Sequence, residues 1–444
     1  MRKLAKRFLP QFLQSKVSGR PYLQKILSNM GWLTFDRFFR MGVGVIVSIW
    51  LARYLGPAEF GIWNFAIAFV ALFGVFSGLG LDSIIIRELV KNPSKQNTIL
   101  GTAFFLKLFA SIVAIISILI LSLLFVGDFT KTIFITIISS GMLLGSFDVI
   151  DFWFQSEVAS KFVVTARNIS FFLASVLKIV FILLSFSLIW FVLLGVFETL
   201  VSAILLVGMY LKKKQHFSVW SFDFAFAKSL VKDSWPLILS GFAVILYMRI
   251  DQVLIGQLMG DSSVGLYSAA VKIAEIWYFV PGIIIASLFP AIIKNRTSNY
   301  PQYLERLQKL YAFMFWIPLS IAIFVSIFSN QIITLLYGVE YISAAPVLSI
   351  YVWSGIFVFL GVAVGQFLLA ENLTKISLVT TLLGAITNII LNLIWIPQYG
   401  MVGAAFATLI SYALATFSVV IFKKARINAI MFIKALDIRL LKIF

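Results

Sequence analysis

Residues 54–63, Tyr-Leu-Gly-Pro-Ala-Glu-Phe-Gly-Ile-Trp, return without a gap as residues 258–267, Leu-Met-Gly-Asp-Ser-Ser-Val-Gly-Leu-Tyr. Each stretch follows a long apolar run. A second repeat pairs Phe-Glu-Thr-Leu-Val-Ser at 197–202 with Phe-Ala-Thr-Leu-Ile-Ser at 406–411. Two repeats in the same order indicate that the chain is built from two related halves.

The composition is that of a membrane protein. Hydrophobic residues make up 61% of the 444 residues, charged residues make up 12%, and the mean hydropathy is +1.02. A soluble domain would have about 45–50% apolar and about 25% charged residues. The chain therefore lies mostly within a bilayer, and a duplicated set of spans is typical of transporters.

The scarcity of reactive side chains excludes several kinds of site. The chain has no cysteine and a single histidine, His216, which lies in a Lys-rich loop. Thiolate and imidazole metal clusters and Cys- or His-based catalysis are thereby excluded. We expect no metal, no cofactor and no catalytic residue. Residues 1–25 are basic with only short apolar pieces, which predicts no cleaved signal peptide.

Continuous apolar runs predict twelve transmembrane helices, because about 20 apolar residues are needed to cross a bilayer. The strands of a membrane barrel would instead alternate between apolar and polar residues. The predicted spans cover 28–53, 61–81, 99–126, 132–157, 162–184, 188–211, 235–258, 265–289, 310–329, 343–369, 376–396 and 401–422.

The basic residues predict the orientation of these spans. Most of the 36 Lys and Arg residues fall at the two termini and in the loops after even-numbered spans. Only Arg53 and Lys131 fall in the opposite loops. Under the positive-inside rule both termini are cytoplasmic. The net charge of +18 is therefore a signal of topology and not of nucleic-acid binding.

We predict an all-α polytopic membrane protein whose two six-helix lobes are related by a pseudo-two-fold axis along the membrane normal, because both halves begin and end on the cytoplasmic side. The predicted lobes cover residues 28–211 and 235–422. Three cytoplasmic segments complete the organisation: a basic N-terminal segment (1–27), a connector (212–234) and an amphipathic tail (423–444).

Ionisable residues inside the predicted spans are the candidates for function, because each costs at least about 2.5–3.5 kcal/mol at the centre of a lipid-facing helix. Asp36 and Arg40 stand at i and i+4, and Lys272 and Glu275 stand at i and i+3. Both pairs can therefore neutralise themselves on their own helix.

Arg37 and Arg249 have no such partner on their own helices, and each lies near mid-membrane in the first or seventh span. Two guanidinium groups beside an aqueous cleft would bind a phosphate-like anion, whose oxygens suit their planar donors. The alternative is a structural role, in which both arginines pair with acids on neighbouring helices, for instance Glu198 or Glu275.

Other charged residues in the spans have separate predicted roles. Glu198 in the sixth span and Asp251 in the seventh are the candidates for coupling to a cation. Lys107 and Lys178 either snorkel toward an interface or line the cleft. Asp148 and Asp151, near the end of the fourth span, are expected to pair with neighbouring Lys or Arg residues.

The first repeat resembles the end of the first helix in the polysaccharide transport family of the MATE-like flippase superfamily, through Ile49-Trp50-Leu51-Ala52-Arg53-Tyr54-Leu55-Gly56-Pro57-Ala58-Glu59-Phe60-Gly61. Further matches, which follow the family in order along nearly the whole chain, are Trp235-Pro236-Leu237, Met248-Arg249-Ile250-Asp251-Gln252-Val253-Leu254-Ile255-Gly256, Val264-Gly265-Leu266-Tyr267-Ser268-Ala269-Ala270, Leu335-Leu336-Tyr337-Gly338 and Tyr341.

The resemblance implies a flippase that moves undecaprenyl-diphosphate-linked oligosaccharide units to the outer leaflet of the bacterial inner membrane by alternating access. Such units feed O-antigen, capsule or exopolysaccharide assembly. Members of the family are thought to use a cationic central cavity, and the matching cations here are Arg37, Arg40, Arg249 and Lys272. The acids that would couple to an ion or pair with these cations are Asp36, Glu198, Asp251 and Glu275.

The expected partners are the lipid-linked oligosaccharide and membrane lipids, with H+ or Na+ as the candidate coupling ion and a glycan polymerase as a further candidate. An ion-coupled exporter of soluble drugs or metabolites is the alternative function. A glycan polymerase or ligase is disfavoured because the outer loops are short. The chain has no phosphate-cradling Gly-Lys-Ser/Thr loop, so it does not hydrolyse nucleotide itself.

Overall fold

A computed structural model describes the backbone of residues 21–442 and the side chains of residues 39–440 apart from residue 297. The described backbone consists of helices and turns, without a strand. This follows from the apolar composition, because a helix satisfies its own backbone hydrogen bonds where no water is present. The prediction of an all-helical membrane protein is confirmed.

The chain divides into two compact units, and the first comprises residues 1–48 and 73–238. Its described helices, numbered along the chain, are α1 (Pro21–Gly78, shared with the second unit), α2 (Asp82–Lys91), α3 (Gln96–Phe125), α4 (Phe129–Leu144), α5 (Val149–Ser156), α6 (Lys161–Leu183), α7 (Leu188–Lys212) and the start of α8 (Phe224–Met259).

The second unit comprises residues 49–72 and 239–444. After the end of α8 its described helices are α9 (Asp261–Glu275), α10 (Val280–Ile293), α11 (Asn295–Ser298), α12 (Tyr300–Ile327), α13 (Ser329–Tyr337), α14 (Ala345–Tyr351), α15 (Ser354–Ala370), α16 (Thr374–Phe417) and α17 (Ile427–Ala435). The predicted lobe boundaries stay a prediction; in the structure, residues 49–72 group with the second unit.

Several helix ends are encoded locally. Asp128 precedes α4 and accepts hydrogen bonds from the backbone N–H groups of Thr130 (2.8 Å) and Lys131 (3.2 Å). Asn299 precedes α12 and accepts from the N–H of Gln302 at 3.1 Å. Both are N-caps, which satisfy donors that the first helical turn leaves free.

Among the described residues, nine helical segments are long and apolar enough to cross a membrane. A tenth crossing is formed if Val339–Tyr351 and Ser354–Ala370, bent by 41°, count together. Two of the nine, Phe39–Lys91 with 53 residues and Thr374–Ile421 with 48, are more than twice the length of one span. Each long segment is interrupted at a glycine, Gly56 or Gly400, whose backbone is not helical.

The repeated stretches adopt the same local structure. Gly56 (φ 69°, ψ 174°) and Gly260 (φ 86°, ψ 178°), the third residue of each copy, share a left-handed conformation that favours glycine. The eighth residues, Gly61 and Gly265, leave no room for side chains. A Cβ atom at Gly61 would overlap the carbonyl oxygen of Asp261, and one at Gly265 would overlap that of Pro57. The two copies therefore pack against each other through equivalent positions.

Arg53, just before the first copy, ties that segment to α13. Its guanidinium group donates hydrogen bonds to the carbonyl oxygens of Leu335 and Leu336, the latter at 2.7 Å. Tyr341 donates from its hydroxyl to the carbonyl oxygen of Ala52 at 2.7 Å. The cation lies at a helix C-terminus, where free carbonyl groups attract positive charge.

The connector after α7 packs on the first unit. The indole N–H of Trp220 donates to the Tyr210 hydroxyl at 3.1 Å, and the backbone N–H of Asp223 donates to Thr102 at 3.1 Å. A Cβ atom at Gly101 would meet the backbone of Ser221. The connector is therefore held by specific contacts, with the Phe222 and Phe224 side chains exposed.

The C-terminal tail packs on α12 of the second unit. Trp316 donates to the carbonyl oxygen of Ala435 at 3.1 Å, and Gln308 donates to that of Met431 at 3.0 Å. The opposite face of α17 exposes Ile430 and Ile433. The predicted interfacial position of the tail stays a prediction, and this apolar face is compatible with it.

Candidate functional site

The first charged cluster lies within the first unit and joins α1, α6 and α7. Glu198 stands between two cations: Arg40 Nη2 lies 4.0 Å from Oε1, and Lys178 Nζ lies 3.7 Å from Oε2. The Arg40 guanidinium also lies 5.4 Å from the centroid of the Phe171 ring, a favourable cation–π distance. With 36% of its side chain exposed, Arg40 remains accessible. The described part of this cluster holds two cations and one carboxylate.

The second charged cluster lies within the second unit. Arg249 Nη2 lies 3.5 Å from Oε2 of Glu275, and the Tyr351 hydroxyl donates to Oε1 of Glu275 at 3.3 Å. Lys272 acts on the same carboxylate electrostatically, and its ammonium lies 4.6 Å from the centroid of the Phe60 ring. The described residues of this cluster therefore also contain two cations and one carboxylate.

Glu275 ends α9 at a break in the helix. A 3-10 segment, Ile276–Phe279, separates α9 from α10, and both helices belong to one apolar segment. Short 3-10 stretches inside a longer helix often mark functional hinges. The Arg249 side chain is 31% exposed, so the pairing with Glu275 does not bury its guanidinium group.

A separate polar cluster surrounds Asp251, two residues after Arg249 on the opposite face of α8. Tyr267 donates to Oδ2 at 2.7 Å, Asn392 donates to Oδ1 at 2.9 Å, and the Thr408 hydroxyl also donates to Oδ2. Asp251 is 2% exposed, and the residues described here place no cation against its carboxylate. A buried carboxylate without a cationic partner is costly unless it binds a proton or a cation.

Asn388 lies one turn before Asn392 on α16, and both side chains are fully buried. The Oδ1 atoms of both asparagines have no hydrogen-bond partner among the described residues. The buried polar cluster of Asp251, Thr408 and the two asparagines thus contains carboxylate, hydroxyl and amide oxygens, the atom types that hard cations prefer. The described residues contain no group of three or more His, Cys, Asp or Glu side chains that could hold a metal ion.

The predicted site residues are distributed over these clusters. Arg40 and Glu198 meet in the first cluster, Arg249, Glu275 and Lys272 lie in the second, and Asp251 stands apart from both. The side chains of Asp36 and Arg37 lie outside the described residues. The expected pairing of Asp151 with a basic residue is present, since Arg167 Nη2 lies 2.7 Å from its Oδ2.

Sequence reasoning missed the neutral members of the Asp251 cluster. Asn388 and Asn392 stand at i and i+4 in an otherwise apolar helix, a spacing that places two amides on one face. Thr408 lies inside the second repeat, at residues 406–411. Both signals are present in the sequence, although neither identifies the helix on which their acidic partner lies.

The fold is that of solved membrane transporters. An inward-facing multidrug resistance MATE family transporter of the MOP superfamily matches with a TM-score of 0.71 at 15% identity, covering 90% of this chain and 98% of that one. The lipid II flippase MurJ, in an inward closed conformation, matches with a TM-score of 0.69 at 16% identity, covering 90% and 89%. The chain is thus a multi-pass helical membrane protein that shares this transporter fold.

The sequence matches the polysaccharide biosynthesis protein family over residues 26–296 and the MatE family over residues 236–394. Because the first match covers more than half of the chain, the protein belongs to the polysaccharide biosynthesis protein family. The resemblance drawn from the Arg-Tyr-Leu-Gly-Pro and Arg-Ile-Asp stretches is confirmed.

Two curated relatives extend over most of the chain. The probable low-salt glycan biosynthesis flippase Agl15 of Haloferax volcanii is 25% identical over 398 residues, covering 86% of this chain and 80% of that protein. A provisionally named O-antigen transporter of Shigella flexneri is 22% identical over 398 residues, covering 86% and 93%.

Proposed function

We propose that the protein is a flippase that moves undecaprenyl-diphosphate-linked oligosaccharide units across the bacterial inner membrane by alternating access, for O-antigen, capsule or exopolysaccharide assembly. The family membership and the relatives named glycan flippase and O-antigen transporter support this function. In this proposal the protein transports its substrate without covalent chemistry. Both termini are cytoplasmic.

The observation that carries the proposal is the pair of accessible arginines, Arg40 and Arg249, in apolar helices. Each lies in a cluster whose described residues hold two cations and one carboxylate. A cluster that holds more cations than carboxylates favours binding of an anion. A diphosphate presents oxygens that a guanidinium group binds in bidentate fashion. Arg37, on the same helix as Arg40, belongs to the same proposal, with Asp36 as a pairing acid.

Twelve crossings in two six-helix lobes are part of the proposal. Nine candidate segments, the bent pair Val339–Tyr351 and Ser354–Ala370, and the glycine breaks at Gly56 and Gly400 support this number. Each break divides a segment that is too long for one crossing.

Asp251 is the proposed coupling acid. Its carboxylate is buried, hydrogen-bonded only to neutral groups in the described part of the chain, and close to amide oxygens that lack donors. Binding of H+ or Na+ would neutralise it, and the free energy of that ion across the membrane would then drive transport. Glu198 and Glu275 are less suited to this role, because each already lies within an ion pair.

Transport by the purified full-length chain in proteoliposomes tests the function. The assay follows the movement of a fluorescent polyprenyl-diphosphate oligosaccharide from one leaflet to the other by its accessibility to a membrane-impermeant quencher. We expect the wild-type chain to accelerate this movement and the Arg249→Ala variant to be slow.

Export of soluble cationic drugs is the second candidate, favoured by the MatE match over residues 236–394. A cationic dye in the same vesicles separates the two functions. The protein would be an exporter and not a flippase if two results were found together. The wild-type chain would not move the lipid-linked glycan, and dye efflux would persist in Arg249→Ala.

A further inference from the structure

A charged cavity of about 430 Å³ is lined by residues of the first unit, and its lining includes none of the residues assigned above to anion binding and ion coupling. Its polar lining residues are Ser77, Asp82, Lys107, Asp148, Asp151 and Arg167, together with Gln155. The volume lies within the range of about 300–1,000 Å³ that small-molecule sites occupy.

The cavity is built where helices end or break. Its wall includes Gly74 and Gly78 at the end of α1, and Gly145, which begins a 3-10 segment between α4 and α5. A Cβ atom at any of these three glycines would meet no other atom within 4 Å. The backbone therefore borders open space, which allows a ligand to approach closely.

Lys107 is the unusual member of the lining. It lies within the apolar helix α3, is only 5% exposed, and its ammonium lies 5.0 Å from the centroid of the Phe152 ring. Among the described residues it has no ion pair or hydrogen bond. An ammonium group carries three donors, and a buried donor without an acceptor is costly. Lys107 is therefore a largely buried side chain whose ammonium group reaches the cavity without an acceptor among the described residues.

The three acids of the cavity differ in how many of their oxygen atoms already accept a hydrogen bond or lie in an ion pair. Asp151 is buried and accepts from Arg167 at 2.7 Å and from Gln155 at 2.9 Å. Asp148 lies 3.9 Å from the same guanidinium and keeps 43% of its side chain exposed, and Asp82 is also exposed. The cavity lining thus contains an unpaired ammonium group together with exposed acceptors.

The charge balance selects the class of ligand. Three carboxylates face two cations, so the described lining carries one net negative charge. A phosphate would be repelled by Asp82 and Asp148, since like charges in a site cost several kcal/mol. A neutral molecule with many hydroxyl groups meets no such penalty, because each hydroxyl accepts from Lys107 and donates to a carboxylate.

We propose that this cavity binds uncharged sugar residues of the transported glycan, which makes it the sugar-recognition site of the first unit. The inference rests on the proposed flippase function and deepens it, since the diphosphate and the sugars are then recognised by different residues. Asp148 and Lys107 are the residues that hold the sugar hydroxyls.

The absence of cysteine from the chain makes a direct test possible. Ser77→Cys places the chain's single thiol in the cavity and leaves every charged lining residue in place. Ser229→Cys is the matched control in the same unit, since both serine hydroxyls donate at 2.8 Å to the carbonyl three residues earlier, and Ser229 lies outside the cavity. The rate of maleimide labelling is measured on the full chain in detergent with glucose, N-acetylglucosamine, their linear trimers, or inorganic pyrophosphate.

A sugar that binds the cavity slows labelling of Ser77→Cys by the factor 1 + [L]/Kd, about tenfold at a concentration about ten times the Kd. Labelling of Ser229→Cys stays unchanged. Adding Lys107→Met should remove the protection, and Asp148→Asn, at a partly exposed position, should weaken it several-fold if the lysine variant does not fold. Lys161→Met, at an exposed lysine outside the cavity, should leave protection intact.

Equal or stronger protection by pyrophosphate would overturn the proposal in favour of an anion site. Protection by none of the sugars would overturn it as well. Labelling requires no transport, so a wild-type chain that binds sugars here but fails to move a lipid-linked glycan would count against the proposed function alone.

Discussion

Gly61 and Gly265, which hold the same position in the two copies of the repeated stretch, lie directly against each other in the second unit. A Cβ atom at Gly61 would lie 2.9 Å from the backbone nitrogen of Gly265, and one at Gly265 would lie 3.1 Å from that of Gly61. The contact is reciprocal, as in an interface between two identical surfaces. The duplication thus appears in three dimensions as a local two-fold contact between helix backbones.

Gly61→Ala and Gly265→Ala should each destabilise the protein. Either methyl group overlaps a backbone carbonyl, which cannot move without shifting a helix, so we expect a loss of about 1–3 kcal/mol or more. The measurement is the thermal unfolding midpoint of the purified chain in detergent.

Gly208→Ala is the control for these substitutions, because a Cβ atom there meets nothing within 4 Å and alanine favours a helix. A midpoint that is unchanged in Gly61→Ala but altered in Gly208→Ala would contradict the close contact.

Arg53→Met should also lower the unfolding midpoint. The substitution removes two hydrogen bonds from a charged donor to the carbonyl groups of Leu335 and Leu336, and because Arg53 is exposed to its surroundings we expect a loss of about 1 kcal/mol. Arg87→Met is the comparison, because its pairs with Glu88 and Asp233 lie at the surface and are worth about 0–1 kcal/mol. Equal midpoints for the two variants would show that Arg53 has no special role.

The sequence was sufficient to predict the helices and the duplicated glycines, because both depend on local signals. A continuous apolar run predicts a span wherever it occurs, and a glycine in the same place of two copies indicates a shared backbone requirement. The contact between Gly61 and Gly265 was not predictable, since it depends on how two distant helices approach each other.

The partners of the charged residues were only partly predictable. The spacing of Lys272 and Glu275 predicts an ion pair within α9, whereas the structure adds Arg249 from α8 and Tyr351 from α14 to the same carboxylate. The partners of Asp251 come from two other helices, α9 and α16, and neutral Asn and Thr side chains carry no charge pattern that would connect them to α8. Spacing along one helix identifies neighbours on that helix only.

Arg249→Ala should reduce movement of the diphosphate-linked glycan by about 10- to 100-fold, the effect of losing a charged hydrogen bond of about 1.5–3 kcal/mol. The substitution also removes the guanidinium group paired with Glu275 and leaves only the weaker influence of Lys272, which destabilises the fold. The double variant Arg249→Ala, Glu275→Gln removes this second effect. We expect it to regain a normal unfolding midpoint and to stay slow in transport.

Recovery of transport in the double variant would show that Arg249 only neutralises Glu275. The control is Arg296→Ala, which breaks a bidentate pair with Glu371 at 3.1 Å outside the membrane-spanning segments. The hydrogen bonds to Glu371 raise the pKa of Arg296. Its loss should leave glycan movement near the wild-type rate.

Asp251→Asn should uncouple transport from the ion gradient. Asparagine has nearly the same shape and keeps an acceptor for Tyr267 and Thr408, yet it neither ionises nor attracts a cation. In proteoliposomes the wild-type rate should rise with an imposed Na+ or pH gradient, and the variant rate should not respond to either. If Na+ is the ion, it should also stabilise the wild-type chain, by about 2.7 kcal/mol at 100 times its Kd, and leave the variant unaffected.

Thr408→Val tests the same site through a neutral ligand, because it removes one oxygen and keeps the charge of Asp251. We expect the coupling ion to be needed at higher concentration, with the maximal rate retained. Asp128→Asn is the matched control, since asparagine caps a helix about as well as aspartate and residue 128 lies at the start of α4, remote in sequence from this cluster. The acids of the two charged clusters, Glu198 and Glu275, both lie within ion pairs, so we expect neither to replace Asp251. An Asp251→Asn chain that still follows the gradient would therefore remove Asp251 from the coupling mechanism.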